Sequence, residues 1–194
     1  MTGEVSVHLA GDNQYELYGL SALLSSAGYR VSRGAVKESD LLIISLSDVP
    51  LTGWGHYLWR IRQWCEGCES HHVLILLPEK LQGLQILSAY GTVYRGRVQA
   101  EALQDKVKQL VSGEVREARD WAEGLTPGEK NSLPEWLAVS SGRRRKLCGS
   151  NDALYQMCSR VMLRAGIRTS QAFLLGGEMV PLWLMSEVAR SGMR

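Results

Sequence analysis

The period of the apolar positions changes several times along the chain, and each change marks an element. Val5–Ala10 (VSVHLA) alternates apolar and polar residues and stops at Gly11-Asp12-Asn13, which predicts a strand. Leu17, Leu20, Leu23 and Leu24 then recur at helical spacing, with Asn13 placed to cap the helix and Gly28 to end it. Tyr29–Ser32 fits a second strand. Leu41–Leu46 (LLIISL) and Val73–Leu77 (VLILL) are continuous apolar runs save for Ser45, the pattern of strands buried on both faces. Between them, Val49–Gly53 predicts a loop and Trp54–Cys65 a helix. A short helix over Leu81–Ala89 and a short strand over Thr92–Tyr94 follow. An amphipathic helix over Ala100–Ser112 shows Leu103, Val107, Leu110 and Val111 on one face. Strands alternating with helices in this way predict an α/β domain over residues 1–113, a parallel five-stranded sheet with helices on both faces.

The pattern then changes. Glu114–Glu123 is charged, with Trp121 its one large apolar residue, and residues 114–124 read as a linker. From Leu125 no strand period survives. Short helices are expected at Pro127–Val139, Arg143–Leu147, Asp152–Ala165, Ser170–Leu175 and Pro181–Arg190, giving an all-α domain over 125–194. Charge divides in the same place. Residues 1–124 carry twelve basic and fifteen acidic side chains, and residues 125–194 ten basic and five acidic. A basic helical piece behind a slightly acidic α/β piece suggests a division of labour.

Composition excludes several classes. The chain is 45% hydrophobic and 22% charged, as folded globular proteins are. No 18-residue apolar run exists, so no membrane span is expected. Met1-Thr2-Gly3-Glu4 opens no secretory signal, so a cytoplasmic, reducing setting is expected, and four cysteines are too few for a disulfide scaffold. No G-x-S-x-G, P-loop or G-x-G-x-x-G occurs, so no enzymatic activity and no cofactor are expected.

Two further groups bear on chemistry. Cys65-x-x-Cys68 with His71-His72 has the residue types of a zinc site, but all four fall in eight residues with no second arm, and two ordinary thiols at a helix–strand turn is the favoured reading. Trp54, Trp59 and Trp64 lie five apart. On a helix Trp54, Leu58 and Ile61 share a face while Trp59 points elsewhere, so an exposed aromatic anchor for a protein partner is one reading and a helix packed on the sheet the other.

In its order of elements, and in the Leu125-Thr126-Pro127-Gly128-Glu129 that opens the helical part, the chain resembles response regulators of the LuxR/FixJ type. These join a receiver domain to a helix-turn-helix domain. Thr126–Glu129 is a capping box with Pro at the first helical position. Downstream, Ser150, Leu154, Ser159-Arg160-Val161, Arg164, Gly166, Ile167 and Arg168 fall into the family frame without gaps. The resemblance implies a receiver-like fold and a phosphorylation pocket, but the pocket's chemistry has changed. The family's acid pair is Gly11-Asp12, the phosphoacceptor position is Ser45, the hydroxyl position is Leu76 or Leu77, and the lysine position is Arg95. Asp12, Ser45 and Arg95 therefore mark a vacated pocket, poor in the carboxylates that Mg²⁺ requires. Asp12 is read as a surface cap residue. Pro134 is expected to kink or shorten its helix, at about 3 kcal/mol.

For DNA, Arg143, Arg144, Arg145 and Lys146 would contact phosphates. In the helix-turn-helix frame, base reading and further contacts fall to Ser150, Asn151, Tyr155, Gln156, Arg160 and Arg164. The expected function is phosphorylation-independent regulation of transcription through double-stranded DNA, as a homodimer or with a partner regulator and away from membranes. The alternative is an interaction protein that has lost DNA binding and controls another regulator by contact. The apolar tail, with Val180, Leu182, Trp183, Leu184, Met185 and Val188, either caps the last domain or builds a dimer interface.

Overall fold

The computed structural model describes residues 5–34, 38–113, 125–140, 151–168, 175 and 179–191. The elements in chain order are β1 (Ser6–Gly11), α1 (Gln14–Ser26), β2 (Arg30–Arg33), β3 (Glu38–Ser45), α2 (His56–Gly67), β4 (Glu69–Leu77), β5 (Thr92–Arg95), α3 (Ala100–Val111), α4 (Pro127–Ser140), α5 (Asn151–Arg164) and α6 (Met179–Ser191). The five strands form one sheet in the order β2-β1-β3-β4-β5, every neighbouring pair parallel. The expected parallel α/β sheet is present.

The elements form two compact units. The first comprises Met1–Val49, Arg60–Gln82 and Tyr90–Ala118. Alternation along its strands sends Val7, Leu9, Leu41, Ile43, Leu74 and Leu76 to one face, where they cluster with Leu17, Leu20 and Leu24 of α1 and Leu103, Val107 and Leu110 of α3. Leu42, Ile44, Ile75 and Leu77 alternate with these and are equally inaccessible, as strands buried on both faces require. Each such side chain contributes about 1.5–3 kcal/mol by leaving water. Asn13 caps α1 as expected, its Oδ1 accepting from the amides of Tyr15 (3.0 Å) and Glu16 (3.4 Å). At the other end Gly28, at φ +88°, donates to Ser25 O while Tyr29 N donates to Leu24 O.

Three expectations change. β3 and β4 start earlier than their apolar runs, at Glu38 and Glu69. The polar first turns are held by other means. Asp40 Oδ2 accepts from the Ser6 amide and hydroxyl, both at 2.7 Å, which holds its carboxyl below the usual range. No helix covers Leu81–Ala89. Two single 3-10 turns, Glu79–Leu81 and Gln85–Leu87, stand there, separated by Gly83 at φ +86°, a conformation that interrupts any right-handed helix. Finally, α4 is not shortened at Pro134. The capping box fixes its first turn, and Leu133 beside the proline is buried. The expected elements at Glu114–Glu123 and Arg143–Leu147, and most of Ser170–Leu175, lie outside the described residues.

The second unit comprises Pro50–Trp59, Gly83–Ala89 and Arg119–Arg194. In it α4 packs against α5 and α6. Val180, Trp183 and Leu184 of α6 are buried, so these apolar residues of the tail belong to this unit's core. Leu182 remains 41% exposed.

Candidate functional site

The carboxyl end of the sheet gathers the positions that the resemblance assigns to a vacated phosphorylation pocket. Strand register places Gly11, Ser45 and Leu76 in one row, with Arg95 opposite Leu77 one step further. Ser45 is wholly buried, and its hydroxyl has no hydrogen-bond partner among the described residues. Gly11 lies so close to β3 that a Cβ added to it would stand 2.5 Å from the Ser45 carbonyl oxygen. No side chain fits there, so a second acid cannot stand beside Asp12 without moving backbone. Asp12 is not the cap residue; that role belongs to Asn13. Asp12 instead pairs with Arg60 of α2. Asp48, in the loop after β3, pairs with Arg97 at 2.8 Å, which raises the guanidinium pKa further. Arg95 is exposed. Asp12 and Asp48 are therefore each matched by a guanidinium, whereas Glu16 in the first turn of α1 has a buried Oε2 with no hydrogen-bond partner among the described residues.

The second place is α5. Cys158, Val161 and, just past the helix, Ala165 are buried. The opposite side carries two parallel strips at i, i+4, i+8 spacing. Gln156, Arg160 and Arg164 form one, all exposed; Tyr155, Ser159 and Leu163 form the other, with Tyr155 71% and Leu163 79% exposed. Arg164 is fixed by Glu129 of α4, its Nε 3.4 Å from Oε1. Glu129 is itself buried in the capping box, its Oε2 accepting from the Thr126 amide (2.8 Å) and hydroxyl (3.0 Å). Burial pushes its pKa up, but the Thr126 hydrogen bonds and the charges of Arg164 and Arg160 outweigh that and lower it. Burial pushes the Cys158 thiol up to about 11, so it stays protonated and unreactive at neutral pH. Arg143, Arg144, Arg145, Lys146 and Ser150 lie outside the described residues; Asn151 opens α5.

Glu129 yields a pH prediction. A depressed carboxyl pKa contributes stability above the unfolded value near 4.5, and that contribution is lost as pH falls through the lower folded value. The stability gap between the wild type and Glu129→Gln should therefore be widest near neutrality and close in acid. A gap that stays constant in urea melts from pH 7 to pH 3 would refute the assignment.

No protein-family model matches the chain, and neither does any curated protein. Among solved structures, it is similar to full-length FixJ from B. japonicum (14% identity, TM-score 0.43, all of both chains covered). It is also similar to the response regulator StyR (16% identity, TM-score 0.38, 92% of this chain and 98% of that one). A third is RcsB from Salmonella enterica serovar Typhimurium bound to a promoter in the presence of a phosphomimetic (15% identity, TM-score 0.37, 95% and 100%).

The other candidate groups disperse. Cys68 is buried with its Sγ 3.5 Å from Ser39 Oγ, whereas His71 is exposed. Among the described residues no three His, Cys, Asp or Glu side chains converge as metal ligands would. Trp54 is fully buried together with Leu58 and Ile61, while Trp59 and Trp64 are half-buried. Among the described residues the exposed large aromatics are instead Tyr15, Tyr18 and Tyr155. Likewise among the described residues, no helix is long and apolar enough to cross a membrane.

Proposed function

We propose that the chain regulates transcription by binding duplex DNA through the exposed side of α5, as the helix-turn-helix that its sequence resembles would, and without phosphorylation of its first unit. The observation that carries this reading is the Gln156–Arg160–Arg164 strip. Gln can read adenine and Arg guanine in the major groove. With Arg164 anchored on Glu129, Gln156 and Arg160 are the side chains left to meet bases. The neighbouring run Arg143–Lys146 supplies phosphate contacts, and a homodimer or a partner regulator supplies the second half-site. Independence from phosphorylation is supported by Ser45 at the acceptor position, by the absence of room for an acid at Gly11, and by the pairing of Asp12 and Asp48 with arginines.

The test is binding to random-sequence duplex DNA across a salt series. Log affinity should fall linearly with log salt, each phosphate contact adding about 0.9 to the slope. Arg144→Glu with Arg145→Glu should abolish binding. Arg160→Glu should weaken it about tenfold or more, since repulsion replaces a cation. No binding at low salt, or an affinity indifferent to these changes, would remove the reading.

One observation favours a second reading, an adaptor that acts by protein contacts. Tyr155 and Leu163 are large, exposed and on one strip of α5, a costly arrangement unless something covers them. Absent DNA binding together with a partner lost on Tyr155→Ser and Leu163→Ser would select it.

A further inference from the structure

An open groove of about 690 Å³ lies in the first unit at the carboxyl ends of β1 and β2. Its walls include His8, Gln14, Tyr18, Arg33, Gly34 and Trp64. The groove adjoins the vacated phosphorylation pocket at Gly11, which lines both; its other walls belong neither to that pocket nor to the α5 strips. The volume is that of a small-molecule site.

The lining groups define what would fit. Arg33 ends the edge strand β2 and is exposed, with no carboxylate pairing it among the described residues. Its guanidinium lies 4.1 Å over the Tyr18 ring centroid. Stacking holds the fork flat and extended, so its donors stay available for an anion, and a fork of this kind matches phosphate oxygens two at a time. His8 lines the groove with its ring beside Ser32. The Ser32 hydroxyl lies 3.4 Å from Val7 O and 3.2 Å from His8 Nδ1; in the tautomer that carries the proton on Nδ1, His8 donates to this hydroxyl and Nε2 keeps a lone pair. Burial lowers the His8 pKa, so the ring stays neutral and keeps that lone pair at neutral pH. Gln14 adds an amide able to donate and accept, and Trp64 adds an aromatic wall. Gly34, at φ +99°, closes the strand with open space where a side chain would stand.

We propose that this groove binds a small phosphorylated heterocycle of the nucleoside monophosphate kind, with the phosphate on Arg33, and the base offering N–H groups to His8 and Gln14 beside Trp64. A bare anion would use Arg33 alone, and an uncharged ring would leave it unused. Both parts of the ligand are therefore needed for binding.

Titration calorimetry of the full chain at near-physiological salt tests this, with AMP, GMP, CMP and UMP as probes and inorganic phosphate and the parent nucleosides as comparisons. At least one nucleotide should bind saturably, one per chain, and its phosphate-only and nucleoside-only parts should bind at least about tenfold more weakly. Arg33→Glu should weaken the nucleotide by about tenfold or more, and Arg33→Gln should do so in part. Both changes fall at an exposed position, and an unchanged urea midpoint verifies the fold. No saturable nucleotide binding would overturn the proposal, as would binding unaffected by Arg33→Glu or inorganic phosphate binding as tightly as the nucleotide. Arg160→Glu should leave nucleotide binding untouched and Arg33→Glu should leave duplex binding untouched, so either reading can fail while the other stands.

Discussion

Ile43→Asp should leave the five-stranded sheet unfolded. Ile43 is fully buried on β3, the middle strand in the order β2-β1-β3-β4-β5. Its register partners are Leu9 on one side and Leu74 on the other, and the face it joins is closed by leucines and valines of α1 and α3. A carboxylate there meets no donor. Its burial costs several kcal/mol whether it stays charged or takes up a proton, and the isoleucine's own contribution of about 1.5–3 kcal/mol is lost as well. Together these rival the net stability of a typical domain, about 5–15 kcal/mol. Ile43→Val should cost only about 0.5–1.5 kcal/mol. Leu42→Asp, one residue earlier, should be milder than Ile43→Asp. Residue 42 faces the other side of the sheet, and its register partner on β1 is His8, whose imidazole can take a proton and pair with the new carboxylate. Circular dichroism and urea melts of the variants decide the matter. A folded, cooperatively melting Ile43→Asp protein would refute the burial of β3 on this face.

The same contrast between positions 42 and 43 shows what can be read from the chain. LLIISL and VLILL announce strands buried on both faces because no other common element demands so nearly continuous an apolar run of that length. Asn13 and Gly28 announce the ends of α1 because capping chemistry is local. Polar stretches are less legible. Glu38–Asp40 joins β3 because Asp40 bonds to Ser6, 34 residues away, and nothing near Asp40 in sequence foretells that. The apolar spacing of Leu81, Leu84 and Leu87 fits a helix turn as well as two tight turns, and it is the left-handed Gly83 that decides.

The candidate site was legible in its positions and not in its pairings. Alignment of strand ends sufficed to bring Gly11, Ser45 and Arg95 to one end of the sheet, because parallel strands share their carboxyl edge. That Asp12 and Asp48 have arginine partners could not be foreseen: Arg60 and Arg97 lie 48 and 49 residues away. The groove of His8, Tyr18 and Arg33 is hidden for the same reason, since each residue is unremarkable in its own element. On α5 the reverse holds. Gln156, Arg160 and Arg164 share a face by helical period alone, and the fold adds the Glu129 contact that ties one of them down.

The end of α5 is where local and long-range demands meet, and there Gly166→Ala should destabilise the second unit by about 3 kcal/mol or more. Gly166 closes the helix in a Schellman arrangement: its amide donates to Leu163 O at 3.1 Å, and the Ile167 amide donates to Met162 O at 2.8 Å. This requires its φ of +70°, which costs an L-residue about 1–2 kcal/mol. Gly28 closes α1 in the same way at φ +88°, with nothing within 4 Å of an added Cβ, so Gly28→Ala should cost only that penalty and Gly28→Asn less. Gly166 is different. A Cβ there would overlap the Gly83 carbonyl oxygen and lie 2.6 Å from the Gln85 amide nitrogen. Both are backbone atoms of a segment held to α5 by the Ile86 amide, which donates to Ala165 O at 3.0 Å. Neither can swing aside as a side-chain tip would. Asparagine relieves the φ cost and keeps the Cβ, so Gly166→Asn should be nearly as damaging as Gly166→Ala. Urea melts give the totals, and hydrogen exchange at the Val161–Ala165 amides gives the local loss. If Gly166→Asn matched the wild type while Gly166→Ala did not, the left-handed turn alone would explain the glycine, and the packing of Gly83–Ala89 against the end of α5 would be refuted.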